Sequence, residues 1–279
     1  MARFAFAVEM LKARWSAQRS LCPYCESRLH RRLQRKKLLI EARKCEFCGL
    51  VFRWPCDDPD RARQFYEGAY EGQQATTLPA SPEALEQLVE EQFRGTQFDR
   101  SHRVALVQSL LPEGRLLDFG CSWGYSLVQW RAAGYDAVGF EAARDRARFG
   151  RERLGLDIRD DLGAFDAEPS ASFDVVYADH VFEHLPLLRR PVELFARLLK
   201  PGGVLLLFTP NGGGALARRL GTGWGPFIGE SHTIALTAEW CNRNLPAHGF
   251  QSRCFAGAAP QHPPDLLDGE ELVCQATRL

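Results

Sequence analysis

The sequence predicts an α/β fold, a Rossmann-like, doubly wound and mostly parallel sheet preceded by a small N-terminal zinc-ribbon module. Three observations carry this expectation. From Arg115 onward, short apolar runs alternate with helical stretches, as in a parallel sheet with helices on both faces. The first such run, residues 116–119, opens into a turn with glycines at positions 120 and 124. Upstream, Cys22-Pro23-Tyr24-Cys25 and Cys45-Glu46-Phe47-Cys48-Gly49 form two C-x-x-C pairs at a separation typical of four-cysteine zinc sites.

Composition sets the frame. Of 279 residues, 45% are apolar and 25% charged, so a packed core is expected. The formal net charge of zero argues against a nucleic-acid binder that works by bulk charge, but leaves room for a local basic patch. No apolar run approaches the ~18 residues of a membrane span. Residues 1–21 are interrupted by Arg3, Glu9, Lys12, Arg14 and Arg19, which fits an amphipathic helix and no secretory signal. The expected location is cytoplasmic, where disulfides are rare, so the nine cysteines need another role than bridging. Four segments are expected: a helix over 1–20, the zinc module over 21–56, a linker with helical elements over 57–98, and the α/β domain over 99–279.

In the module, Cys22, Cys25, Cys45 and Cys48 supply four thiolates to one tetrahedral ion at ~2.3 Å per bond. So short a segment buries little core, and the metal supplies folding energy. Four protein ligands leave no open position, so the zinc is expected to be structural. Cys56 lies close by, with less apt spacing. Between the knuckles runs a basic stretch of Arg28, His30, Arg31, Arg32, Arg35, Lys36, Lys37, Arg43 and Lys44, with Glu41 its one acid. It is either a solvated hairpin or helix face, or a contact for a phosphate-bearing substrate. Residues 65–72 read as a Gly-rich connector. Two helices follow over 81–112, the first capped by Ser81 with Pro82 at its first position, the second capped by Asp99, with Gly95 between them. Leu106, Leu110 and Leu111 face the core.

In the α/β domain, strands are expected at 116–119, 136–140, 156–158, 173–178 and 204–208. The glycine turn lets backbone approach a ligand without a Cβ in the way, and the helix behind it offers free N–H groups. Asp118, just before the turn, is placed to hold an ammonium group, and Glu141, after the second strand, to accept both hydroxyls of a ribose. A dinucleotide fingerprint would need glycine at Ser122 and Tyr125, so that reading fails.

Asp118-Phe119-Gly120-Cys121-Ser122-Trp123-Gly124 resembles the D/E-x-G-x-G-x-G motif of the class I S-adenosylmethionine-dependent methyltransferases, with Ser122 at the middle glycine. The resemblance continues in order over residues 100–255, through Glu141, Asp160-Asp161-Leu162, residues 173–180, Val181-Phe182-Glu183-His184-Leu185, Leu199-Lys200-Pro201-Gly202-Gly203 and Thr209-Pro210-Asn211. It implies a seven-stranded sheet and S-adenosylmethionine as cofactor. It implies cofactor contacts from Asp118, Gly120, Cys121, Ser122, Gly124, Glu141, Asp161, Leu162 and Asp179. Methyl donation needs no protein nucleophile, so the Cys121 side chain is read as small packing. The zinc knuckles and the residues after them resemble a bacterial subgroup with a zinc ribbon before the methyltransferase domain, often associated with sugar, surface-glycan or secondary-metabolite biosynthesis.

Methyl transfer is an in-line displacement, and alignment of the acceptor is the protein's main task. Candidates for a catalytic or acceptor-facing role are His184, His232 and His180, with Asp179 and Glu183 beside them at the carboxyl end of the sheet. On a helix, His180 and His184 would share a face. The Gly-rich residues 211–229 suggest a lid that brings His232 in, and a helix from Thr237 followed by strands at 252–255 and 272–276 suggests an antiparallel end. The expected acceptor is a small-molecule biosynthetic intermediate. Two alternatives stand beside it: an RNA methyltransferase that holds rRNA or tRNA through the basic stretch, and a silent cofactor-binding partner subunit. No membrane partner is expected, and the oligomeric state is left open.

Overall fold

The computed structural model describes residues 2–16, 18–36, 39–58, 78, 81–257 and 268–279. The expected connector at 65–72 and Lys37 lie outside the described residues. Among the described residues, seven strands form one mixed sheet: β4 (Gly114–Phe119), β5 (Tyr135–Phe140), β6 (Ile158–Arg159), β7 (Phe173–Asp179), β8 (Leu199–Pro210), β10 (Phe250–Ala256) and β11 (Glu271–Arg278). Their order is β10-β11-β8-β7-β4-β5-β6. The five from β8 to β6 run parallel, and β11 pairs antiparallel with both β8 and β10. The seven-stranded expectation and the antiparallel end are therefore observed.

Strand alternation explains why both faces are covered. Val176, Ala178, Leu205 and Leu207 enter one core with Phe195 and Leu198 of helix α6 (Arg189–Leu198). Val175, Tyr177, Leu206 and Phe208 enter the other, with Leu106 and Val107 of α3 (Ser101–Leu110) and Trp130 of α4 (Tyr125–Ala132). Ser81 caps α2 (Pro82–Glu90) as expected, accepting from the Ala84 amide at 3.2 Å. Helix α5 (Arg144–Leu154) ends on Gly155 in the left-handed region.

Two local expectations shift. The turn expected at 199–203 is a bulge inside β8, because β7 pairs Phe173 with Leu199 and then Val175 with Val204. Residues 180–184 form no α-helix: a single 3-10 turn spans Phe182–His184, and His180 adopts a left-handed φ of 54°. The helical face expected for His180 and His184 does not exist.

A second, antiparallel sheet carries the N-terminal module, with β1 (His30–Lys36), β2 (Ile40–Cys45), β3 (Val51–Trp54) and β9 (Ile234–Ala235) in that order. Helix α1 (Ala2–Ala13) precedes it. The fourth strand, β9, comes from the segment after the Gly-rich stretch, pairing Ile234 with Phe52 and Ala235 with Val51. The module and the large sheet also share one core, in which Cys22, Cys45, Cys48 and Phe52 join Leu188, Trp240 and Leu245. Within 211–229, α7 (Ala215–Leu220) leads to Trp224, Phe227 and Ile228, which are buried against Ala42 and Val51 of the small sheet. Helix α8 (Ala238–Asn244), capped by Thr237, then leads into β10. No helix among the described residues is long and apolar enough to cross a membrane.

Candidate active site

The chain leaves β4 for β5 and β6 on one side and returns through β7 and β8 on the other, so the order reverses between β4 and β7. Ligands of open α/β sheets bind in the crevice at such a switch point, beyond the carboxyl ends of the strands. Asp118 and Phe119 end β4 there, and Asp179 ends β7.

The turn after β4 requires its special residues. Gly120 (φ 91°) and Gly124 (φ 96°) are left-handed, and a Cβ on Gly120 would lie 2.3 Å from a methyl of Val181. That contact sets residues 181–184 directly against the turn. Ser122, at the position where the motif has glycine, also takes a left-handed φ of 53°. Its hydroxyl accepts from Arg146 Nη1 at 3.0 Å, which fixes the strained residue. Cys121 is buried with its Sγ where a Cβ on Gly139 would come within 2.5 Å, a packing role for its side chain.

Asp118 is buried and accepts from the Trp130 indole at 3.1 Å. Burial pushes its carboxyl up to about 7, against hydrogen bonds from Ser126 and Trp130. Glu141, also buried, accepts from the amides of Ser122 (2.9 Å) and Ala143 (2.8 Å) and so ties the turn to the end of β5. Asp161 caps a 3-10 turn that begins at Leu162, accepting from the Gly163 amide at 3.0 Å. Asp179 accepts from the Tyr177 hydroxyl at 2.7 Å and faces Arg100 and Arg103 at 3.6 and 3.5 Å.

The three histidines separate into two environments. His180 sets Nδ1 3.1 Å from Glu183 and Nε2 3.2 Å from Glu271. Burial opposes its charge, but the two carboxylates outweigh that and hold its pKa well above the ordinary value. Between two carboxylates the ring favours its charged form and bridges Glu183 and Glu271. His184 and His232 lie together, ring centroids 4.6 Å apart and nearly perpendicular. His184 Nδ1 donates to the Ser231 carbonyl at 3.1 Å, and His232 Nδ1 to the Pro226 carbonyl at 2.7 Å. Burial lowers the pKa of His184. A carboxylate oxygen of Glu183 and one ring nitrogen of each of these two histidines all lie within 4.8 Å of one another.

The four cysteines converge as the spacing predicted. Their sulfurs lie within 4.8 Å of one another, with Cys22–Cys48 and Cys25–Cys45 each at 3.5 Å. Four sulfurs at ~2.3 Å from one zinc stand roughly 3.8 Å apart, so the set needs only a slight expansion. Gly49 (φ 78°) turns the second knuckle, its amide donating to the Cys45 carbonyl.

Against known proteins, the model of a family described as a methyltransferase domain matches residues 82–251, more than half of the chain. The chain belongs to this methyltransferase family. Its fold is that of the class I S-adenosylmethionine-dependent methyltransferases. Among curated relatives, a malonyl-[acyl-carrier protein] O-methyltransferase of Serratia marcescens is 28% identical over 162 residues, covering 57% of this chain and 59% of that protein. A probable S-adenosylmethionine-dependent methyltransferase of Mycolicibacterium smegmatis is 39% identical over 101 residues, covering 34% of this chain and 38% of that one. The chain thus spans less than two thirds of the length of these relatives. Among solved structures, the geranyl diphosphate C-methyltransferase of Streptomyces coelicolor A3(2) superposes with a TM-score of 0.51 at 13% identity, over 78% of this chain and 98% of that one, a likeness of fold.

Several site residues escaped the sequence reading. Arg146 and Trp130 sit on helices where periodicity marks faces, not partners of a carboxylate in the next element. Glu271, which meets Arg103 at 2.6 Å, comes from the last strand and has no local signal.

Proposed function

We propose that this methyltransferase moves the methyl group of S-adenosylmethionine to a small-molecule acceptor, with zinc bound structurally by Cys22, Cys25, Cys45 and Cys48. The observation that carries the reading is Asp118, a buried carboxylate at the switch point that forms no ion pair among the described residues. Such a group suits a ligand bearing an ammonium. Glu141 is positioned for ribose hydroxyls at the end of β5. Gly120, Cys121, Ser122 and Gly124 give the approach of backbone, Asp161 and Leu162 flank the adenine side, and Asp179 closes the rim toward β7. The cofactor supplies a sulfonium methyl that is already electrophilic. The chain's own work is to bind it, exclude water and align the acceptor with the carbon–sulfur bond. The acceptor is expected on the side of Glu183, His184 and His232.

The basic stretch supports a small acceptor over RNA. Of that stretch, Arg32, Arg35 and Arg43 turn onto the buried Glu41, at 3.6, 3.1 and 2.6 Å, beside Arg14 at 3.2 Å, so these arginines are engaged by a structural acid. The Serratia marcescens relative is named for a small carboxylic acceptor carried on a protein, which agrees in class. A sugar or natural-product intermediate is the expected acceptor.

The test is transfer of labelled methyl from S-adenosylmethionine in an extract of the source cells. Label in the small-molecule fraction, lost with Asp118→Ala, is expected. Label in RNA, lost on neutralising Arg31, Arg32, Lys36 and Lys37, would overturn the choice of acceptor. Cofactor binding with no labelled product in any fraction would favour a silent subunit.

A further inference from the structure

The grouping of Glu183, His184 and His232 has a chemistry of its own. It rests on two separate segments. Glu183 and His184 belong to the 3-10 turn after β7, and that turn is held against the glycine loop through Val181. His232 arrives from the far side of β8, just before β9. Between them, the Thr233 amide donates to the Glu183 carbonyl at 2.7 Å, and its hydroxyl donates to the Leu185 carbonyl at 3.0 Å. The two histidines are therefore locked together by backbone, not left to find each other.

Hydrogen bonding also fixes what each ring offers. A carbonyl only accepts, so Nδ1 carries the hydrogen in both His184 and His232, and the lone pair of each neutral ring lies on Nε2. An imidazole whose other nitrogen donates to a backbone carbonyl is the usual form of a metal-ligating histidine. The carboxylate is prepared as well. Glu183 is 1% exposed. One of its oxygens lies 3.1 Å from His180 Nδ1. Its second oxygen accepts from the Thr209 hydroxyl at 3.1 Å. A carboxylate oxygen with two lone pairs accepts such a bond and still binds a cation.

We propose that Glu183, His184 and His232 bind one divalent first-row transition cation at the acceptor side of the crevice. Two imidazoles and one carboxylate suit manganese, iron, cobalt or zinc better than calcium or magnesium. Three protein ligands leave positions open, and these take oxygens of the acceptor. The inference rests on the methyl-transfer reading and narrows its substrate to a molecule that presents a hydroxyl to the cation. On coordination the hydroxyl loses its proton to water. The resulting oxygen forms a bond to the methyl carbon, the carbon–sulfur bond breaks, and its electron pair stays on sulfur as S-adenosylhomocysteine. His180, 3.1 Å from Glu183 and 3.2 Å from Glu271, positions the carboxylate.

The experiment uses the full chain with its cysteine site loaded with zinc, freed of loosely held cations by gel filtration. Mn2+ is titrated in and followed by electron paramagnetic resonance. Manganese is chosen because it competes poorly for thiolates. One bound Mn2+ per chain is expected, with nitrogen modulation from two imidazoles. His232→Ala is expected to weaken binding at least tenfold and to leave modulation from one imidazole. His184→Ala should do the same, and His232→Asn serves where the alanine variant fails to fold. No bound Mn2+, or an unchanged affinity and a two-imidazole signal in a folded His232 variant, would overturn the site. Cofactor binding by calorimetry is measured in parallel without Mn2+. Bound Mn2+ without cofactor binding would leave the cation site standing and remove the methyl-transfer reading, while the reverse pattern would remove the cation alone.

Discussion

Asp118 joins two energetic problems in one side chain. In the cofactor-free protein its burial pushes the carboxyl up to about 7. The folded state then holds a proton that the unfolded chain gives up near ~3.9. The contribution to stability is fully present below that unfolded value and is lost as pH rises through about 7. An ammonium beside the carboxylate reverses the preference, so cofactor binding expels the proton. The affinity for S-adenosylmethionine is expected to rise by up to roughly tenfold per pH unit below the folded pKa and to level off above it. Calorimetry in two buffers of different ionisation enthalpy should show proton release near pH 6.5. Asp118→Asn should bind more weakly, with no pH dependence in this window, and should melt higher than the parent at pH 8 without cofactor. A parent whose affinity is flat from pH 5.5 to 7 would mean that Asp118 does not face the ammonium. The same residue shows how much of the candidate site was legible. Asp118, the glycines and Glu141 are set by spacing within single strand–turn–helix units. Their anchors, Trp130 and Arg146, depend on the rotation of α4 and α5 against the sheet, which no local pattern encodes.

Strands β1 and β2 show how a charge run reads differently once it is folded. In the sequence, the arginines and lysines over 28–44 suit either a solvated face or a phosphate contact. In the structure, Glu41 is 2% exposed and meets four guanidiniums. Arg14 and Arg43 also stack on Trp54, at 5.0 and 3.9 Å from its ring. The sequence marked Glu41 only as an exception in a basic run, because Arg14 comes from the turn after α1 and Arg32 and Arg35 from across the hairpin. The arrangement makes Glu41 the hinge of the small sheet's stability. Removing the buried carboxylate leaves four partly exposed guanidiniums to repel one another under partial screening by solvent, and costs about 1–2 kcal/mol. Glu41→Gln is therefore expected to lower the stability to urea by that order. The loss should shrink in high salt, where repulsion among the exposed arginines is screened. Combining it with Arg35→Gln should recover part of the loss, since one of the repelling charges is gone. A Glu41→Gln variant as stable as the parent at low salt would show that the arginines are neutralised by solvent alone.

For the molecule as a whole, the N-terminal module is not an appendage. Reading the chain in order separates a zinc module from an α/β domain, because each carries its own local signature. The union of the two is written only in long-range contacts, and a linear reading does not see it. β9 joins the small sheet from residue 234, the Asn244 side chain donates to the Cys48 carbonyl at 2.9 Å, the Leu188 amide donates to the Pro23 carbonyl at 2.9 Å, and Tyr24 meets His248 at 2.8 Å. Arg53, fully buried, donates to the carbonyls of Gly229 and Glu230, the residues just before His232. The cysteine site thus braces β3, β3 holds β9, and β9 holds His232 beside His184. Loss of the proposed zinc should be felt at the His184 and His232 side before it is felt at the Asp118 side. Cys48→Ser is expected to lower the melting temperature of the whole chain in a single transition, since the knuckles and Trp240 share one core. At temperatures where the variant remains folded, methyl transfer should fall by at least tenfold, while the affinity for S-adenosylmethionine changes by less than about threefold, a difference of under ~0.7 kcal/mol. Calorimetric scans and cofactor titrations on the same variant check both halves. A separate early transition for the module, with turnover unchanged after it has melted, would show instead that the two parts are stable independently and that the ribbon serves some purpose other than holding His232.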